Sequence, residues 1–507
     1  MEFDLNTFSA TARPKQKAAR KRVFLAIKAL IILAPLPFGC VGEHWRYIFF
    51  ALLALIAFFA WGQVKDKQTE SNPSLERKDP ARDLLYGRSL SGTKHKRGAM
   101  VWAKRLWAGF FVFCLLQLLP LPAAVLKLIS PHTVEIMTRL RGVQPTWLPL
   151  SQVPRETLVF TLELLVWTAF GMVLVRMRPG WREMTGLVRT LGWSAAFQVI
   201  LGLVRLLSGT SNFFFFFAPW ERKHSDLTGT LVNSNHFAFF LELVVPLVLA
   251  LILVEFTSRG GGMLHRVLNT LEHRPKTLAL LLILVLSVTG VVLSNSRAGL
   301  TALVAGVSAA ALMMARTRQA RLHRIMPYLA GVLVFFILIV AGNSTFHQFK
   351  EIPLESIDGG RIQRWPYVLH MSSEFPLLGT GMGTFRWAYF PYDKESNQWV
   401  THAHNDVLET ITEAGLVGVL LFFGALFLYG FCVIACWRRR NNVRVRLLTA
   451  GGMAAIVAAF FHSLFDFSLR IPSNALALVI IMALTWGIVK YRKTTNIPRS
   501  LRDGGAL

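Results

Sequence analysis

Apolar runs of about 17 to 25 residues recur along the whole chain, and each is long enough to cross a hydrocarbon core about 30 Å thick as a helix. They predict twelve spans, at residues 23–42, 45–62, 101–126, 156–175, 184–207, 236–255, 277–294, 298–315, 325–342, 411–436, 447–465 and 473–489. Lys28, Pro35 and Pro37 interrupt the first of them. The longest stretch of low hydrophobicity between two spans is 343–410, which predicts a large extramembrane loop whose far end re-enters the bilayer. The expected fold class is an all-α polytopic membrane protein. Its parts are a basic N-terminus at 1–22, a first helix pair at 23–62, a basic loop at 63–100, spans at 101–342, the large loop, spans at 411–489 and a tail at 490–507.

Composition agrees with this pattern. Of 507 residues, 53% are hydrophobic and 16% charged, against roughly 25% charged in soluble domains. Twelve spans put both termini on one side. Assigning that side to the cytoplasm places 39 of the 55 Lys and Arg in 1–22, 63–105, 176–189, 256–276, 316–324, 437–446 and 490–507. Lys28 lies in a span, and only 15 fall in the opposite loops or, like Arg46 and Arg205, at the span ends that adjoin them, as the positive-inside rule requires. The net charge of +27 is therefore mostly topology. Nucleic-acid binding would need basic residues on one folded surface with aromatics interleaved, and here they are scattered among short loops. The 63–100 loop lacks apolar periodicity and is expected to be a solvated linker at anionic lipid headgroups.

The four cysteines, Cys40, Cys114, Cys432 and Cys436, all fall in apolar runs and are expected to be small core residues. Two thiols at i, i+4 without a nearby His or carboxylate make a poor zinc site. The polar, basic N-terminus offers no small-residue cleavage site, so no removable signal peptide is expected.

The opposite loops hold the unusual polar residues. Asn233, Ser234, Asn235 and His236 open a span; helix capping explains one of them but not four in a row. Arg297 sits in the tight turn Ser294 to Gly299. Arginine at that depth is either functional or a snorkelling interface residue. Arg361 and Arg364, three apart, share a helix face that would grip an anion or form a solvated edge. Gly379, Gly381 and Gly383 lack the strand-helix context of a dinucleotide fingerprint and instead suit a tight turn where backbone nears a ligand or the membrane. His402, His404, Asn405 and Asp406 stand just before the run Ala414 to Cys436. His462 and Asp466, at i, i+4, suit a hydrogen bond that orients the helix end. Phe213 to Phe217 suit an interfacial anchor.

Taken in order, these segments resemble the bacterial O-antigen ligase and polymerase superfamily, membrane glycosyltransferases that use undecaprenyl-pyrophosphate-linked glycans. The matching stretches are Gly229 and Thr230 with Asn233 to Ala238, Ser294 to Gly299, Gly360 to Trp365, Gly379 to Phe385, His402 to Asp406 with Glu413 to Gly418, and His462 to Asp466 with Pro472 to Ala475. The resemblance implies a GT-C-like helical fold in the bacterial inner membrane with a periplasmic active site. It implies an undecaprenyl-pyrophosphate glycan donor and a hydroxyl acceptor on a glycan, lipid A core or protein, with no cofactor. It also implies that Arg297 and Arg361 bind the donor pyrophosphate and that His404 acts as base. Arg364 joins them as an extra basic residue. His402, Asn405, Asp406, Asn233, Asn235, His236, His462 and Asp466 support the site. The 63–100 loop and the N-terminal part depart from the simplest ligases and leave the acceptor open.

The residues suit that chemistry. A pyrophosphate is already a good leaving group, so transfer needs its developing charge neutralised and the acceptor hydroxyl deprotonated; arginine forks serve the first and a histidine the second. Asp358, Asp393, Glu395 and Asp406 form no D-x-D pair for a hard cation, and His402 with His404 lacks a third ligand. A metal-independent reaction is expected. The alternative is a secondary transporter, above all a lipid-linked glycan flippase. Against it, the two halves show no matched repeats and the polar residues crowd one side.

Overall fold

The computed structural model describes residues 5–69, 91–208, 226–231, 233–257, 274–315, 331, 361–392 and 400–491. Apart from one short ladder, the regular secondary structure of these residues is helical. In chain order the helices are α1 (Leu5–Leu33), α2 (Glu43–Thr69), α3 (Ser91–Leu116), α4 (Ala123–Ile129), α5 (Pro131–Arg141), α6 (Pro154–Arg176), α7 (Trp181–Ser208) and α8 (Ser234–Thr257). They continue as α9 (Pro275–Leu293), α10 (Arg297–Ala315), α11 (Arg361–Glu374), α12 (Phe385–Ala388), α13 (Asp406–Trp437), α14 (Val443–His462) and α15 (Pro472–Lys490). Ten of these are long and apolar enough to cross a membrane: α2, α3, α6 to α10 and α13 to α15. The chain is a multi-pass membrane protein.

The differences from the sequence pattern have local causes. Apart from residue 331, the expected span at 325–342 lies outside the described residues, as do Phe213 to Phe217. The first expected span, 23–42, is cut short: α1 ends at Leu33, and Phe38–Cys40 form a 3-10 turn with Gly39 at φ 71°. Pro35 and Pro37 supply no N–H for a continuing helix, so Cys40 lies in a turn and not in a span. The third span stops at Leu116, short of 126, because Pro120 and Pro122 open a strand, β1 (Pro120–Pro122), paired antiparallel with β2 (Trp147–Pro149). The 63–100 linker is also shorter than expected, since α2 runs to Thr69 and α3 begins at Ser91. The 343–410 loop contains α11 and α12, and its end is already helical from Asp406.

α8 is the centre of the bundle. Apart from Glu242 its membrane-crossing part is apolar all round, which suits burial on every side, and 89% of its most apolar stretch is buried. It packs on α7, α9, α10, α14 and α15. Lipid tails are as apolar as these side chains, so close backbone approach supplies the cohesion. Gly451 of α14 lies where a Cβ would stand 2.7 Å from the Pro246 carbonyl of α8, and Gly306 of α10 where one would stand 2.6 Å from the Ala454 carbonyl.

The turns sort into two groups. At one end Thr230 Oγ1 donates to the Pro35 carbonyl (2.7 Å), Leu227 N to the Leu293 carbonyl (3.0 Å), Asp406 N to the Ser463 carbonyl (2.9 Å), and Asn474 Nδ2 to the His236 carbonyl (3.0 Å). At the other, Arg20 pairs with Glu183 at 2.7 Å, the Trp181 and Tyr491 rings meet at 5.6 Å, and Arg440 bonds the Val489 carbonyl. The first end holds the residues singled out in the sequence.

Candidate active site

The site is built where α13 begins. His404 adopts a left-handed backbone, φ 50°, and Asn405 then caps the helix, its Oδ1 accepting from Leu408 N at 2.9 Å. An Asn cap satisfies one of the orphan N–H groups of the first turn. Nine residues into the helix, Gly415 takes φ 59° and breaks the regular path. The segment before α12 docks against this break: Leu416 N donates to the Pro376 carbonyl, Val417 N to Leu377, Thr380 N to Thr412 and Gly381 N to Glu413. What the backbone at Gly379 approaches is thus α13, with a Cβ there only 2.3 Å from the Glu413 carbonyl. Buried Gln117 ties the junction together, donating to the Leu378 carbonyl at 3.0 Å and accepting from Met382 N at 3.0 Å.

Three of the expected residues, His236, His402 and His404, meet a fourth, Asp466, and its neighbour Phe467 in the turn after α14. His404 Nδ1 lies 3.0 Å from Asp466 Oδ1, and His236 Nε2 lies 3.7 Å from its Oδ2. Asp466 is fully buried, whereas the His404 side chain is 22% exposed. The Phe467 ring is met by three imidazoles, edge-on by His236 at 4.8 Å and His404 at 4.9 Å, and stacked by His402 at 4.2 Å.

His462 and Asp466 do not form the expected i, i+4 motif as their main pairing. His462 Nδ1 faces Glu242 of α8 at 3.0 Å, with both side chains fully buried, while Asp466 turns to His404. Asp406 takes Leu469 N at 3.2 Å and also faces Arg470.

Arg470 is the residue that sequence reasoning missed. It follows the Phe467 turn and meets three carboxylates of α13: Glu413 at 2.9 Å, Glu409 at 3.3 Å and Asp406 at 3.7 Å. Burial alone would lower its guanidinium pKa, but Glu413, Glu409 and Asp406 outweigh that and hold it above its ordinary value. Glu409 also holds His402 Nδ1 at 3.0 Å, and Glu413 accepts from Phe385 N at 3.0 Å. The available signal was the spacing of Asp406, Glu409 and Glu413, one helix face carrying three acids into an apolar run. Among the described residues no three His, Cys, Asp or Glu side chains group as metal ligands would.

Arg297 opens α10. Its neighbour Ser296 donates to Asn235 Oδ1 at 2.7 Å, and Asn235 adjoins His236. Asn233 Oδ1 accepts from Asn235 N at 2.9 Å, so it serves as the cap of α8. Arg361 opens α11, and half-buried Arg364 lies one turn further on. That helix is held to α13 by Ser372 and Thr412, whose hydroxyls are 2.6 Å apart, and its Trp365 packs on the apolar cluster that contains Ala403 and Leu408.

Residues 282–423 match a family model described as O-antigen ligase. The match runs from α9 into α13 and includes Arg297, Arg361, Arg364, His402 and His404; His236, His462, Asp466 and Arg470 lie outside it. No curated protein matches the chain.

Proposed function

Starting from the membership of this chain in the O-antigen ligase superfamily, through residues 282–423, we propose that it transfers a glycan from an undecaprenyl-pyrophosphate donor to an acceptor hydroxyl. Membership itself implies a glycosyltransferase-like enzyme with lipid-linked glycan and acceptor partners. The finer reading adds a GT-C-like fold in the inner membrane, both termini in the cytoplasm and the His404 end facing the periplasm. The acceptor is another glycan, lipid A core or a protein.

In this reading the acceptor oxygen attacks the anomeric carbon, the bond from that carbon to the pyrophosphate oxygen breaks, and its electron pair leaves with the diphosphate. The hydroxyl proton goes to His404 Nε2. The observation that carries the assignment is the 3.0 Å contact between His404 Nδ1 and Asp466: a buried carboxylate that takes Nδ1–H leaves Nε2 as acceptor and stabilises the imidazolium that forms. Arg297 and Arg361, with Arg364 beside them, neutralise the leaving diphosphate by planar bidentate contacts in place of a metal.

The test uses purified protein with a lipid-pyrophosphate glycan and an acceptor, in excess chelator. Product should form. His404→Ala should lower turnover about 10²- to 10⁴-fold and preserve donor binding, because the base acts on the acceptor. Arg297→Lys and Arg361→Lys should each lower transfer about tenfold or more at unchanged protein level, since one ammonium cannot replace the bidentate fork. A wild-type rate in His404→Ala removes the base, and full activity in both Lys variants removes the bidentate role. Glycolipid that crosses liposomes without a new glycosidic bond identifies a flippase.

A further inference from the structure

We propose that His402 binds the acceptor sugar, its Nε2 accepting a hydrogen bond from a second hydroxyl while His404 takes the proton of the attacking one. This rests on the transfer reading above and adds a residue that sets acceptor affinity and specificity.

The geometry around His402 leaves one nitrogen for a ligand. Its Nδ1 lies 3.0 Å from Glu409 Oε1. The other Glu409 oxygen accepts from Ala403 N at 3.0 Å, and Arg470 Nη2 stands 3.3 Å from Oε1. The carboxylate is thus matched by a cation and engaged at both oxygens, so it takes Nδ1–H and fixes the tautomer that presents a lone pair at Nε2. Stacking on Phe467, with ring planes 18° apart, sets the ring orientation.

Accessibility separates His402, together with His404, from the other two histidines at this end of the bundle. Its side chain is 28% exposed, against 5% for His236 and none for His462. It matches His404 in construction: each ring gives Nδ1 to a buried carboxylate, each touches Phe467, and only Ala403 stands between them in the chain. A molecule whose hydroxyl reaches His404 therefore passes beside His402, and a sugar carries further hydroxyls on the same ring. Glu413 extends the support, since it holds Arg470 and also Phe385 N.

The experiment measures steady-state transfer at saturating donor while the acceptor is varied, using the parent acceptor and a panel of its monodeoxy analogues. His402→Ala should raise the acceptor KM about three- to tenfold, the worth of one neutral hydrogen bond, with kcat little changed. One monodeoxy analogue should show a comparable loss with the wild type and none with His402→Ala, because a site built to bond a hydroxyl discriminates against the analogue that lacks it. His402→Gln, which keeps an acceptor atom, should recover part of the affinity.

A wild type that treats every monodeoxy analogue like the parent overturns the proposal even if His402→Ala fails to fold. So does a fall in kcat at unchanged acceptor KM in both variants, the result of a purely structural role. Wild-type protein that forms no glycosidic bond removes the transfer reading, and this one with it. Normal wild-type transfer with wild-type acceptor KM in both variants removes this one alone.

Discussion

Gly415 stands so close to Leu377 that a Cβ added to it would lie 2.5 Å from the Leu377 carbonyl carbon. This is the point where α13 breaks and the preceding loop pairs with its backbone. Both the left-handed φ of 59° and the lack of space demand glycine.

Gly415→Ala should therefore destabilise the protein by about 1–3 kcal/mol or more, the order of strain stored at an unfavourable backbone conformation, with a backbone clash added to it. The control is Gly430→Ala in the same helix, where a Cβ would meet only Met453 Cε at 4.0 Å. Thermal unfolding in detergent should show a lower midpoint for Gly415→Ala alone. Equal midpoints for the two variants would mean that the loop junction gives way easily and does not set the break in α13.

Arg470 joins the Phe467 turn to α13 through Asp406, Glu409 and Glu413. Replacing it by Met leaves three acids facing one another in a largely buried setting, and removing one partner of a buried ion pair costs about 3–5 kcal/mol. Loss of folded protein is the expected result, read as a lower unfolding midpoint or reduced monodisperse yield. Adding Glu413→Gln to Arg470→Met should recover part of the loss, because the two changes share one network and are not additive. A double variant less stable than either single one would show that Glu413 acts through Phe385 N and not through Arg470.

The sequence made visible what depends on neighbours along the chain. The Asn405 cap, the Arg297 turn and the polar opening of α8 are local arrangements, and periodicity located the ten spans among the described residues to within a few positions at most ends. Proline explains the misplaced ends, since Pro35 with Pro37 and Pro120 with Pro122 stop helices inside runs that are apolar throughout. Pairings across the bundle were not visible. Glu242 and His462 are 220 residues apart and Arg470 and Glu413 are 57 apart, and nothing in their spacing tells which acid meets which base. The break at Gly415 was hidden for a related reason. A glycine within an apolar run suits helix packing as well as a broken helix, and the loop that selects between them lies some 35 residues upstream.

Sidedness gives the last prediction. The turn at 437–442 lies with Tyr491 and the 176–181 turn at one end of the bundle, and the His404 cluster lies at the other. The asymmetry of 39 Lys and Arg against 15 predicts that the first end faces the cytoplasm, because basic residues near span ends are retained there. Single cysteines placed at Asn442, Gly87 and Asn397 test this in intact cells; positions 87 and 397 lie outside the described residues. A membrane-impermeant thiol reagent added from the periplasm should label position 397 and spare 87 and 442. The four native cysteines, three of them buried and Cys436 half-buried, are first replaced by serine or alanine, so that the signal comes from the introduced thiol. Labelling of 87 and 442 without 397 would invert the protein in the membrane, and the His404 end would then meet cytoplasmic substrates in place of translocated lipid-linked glycans.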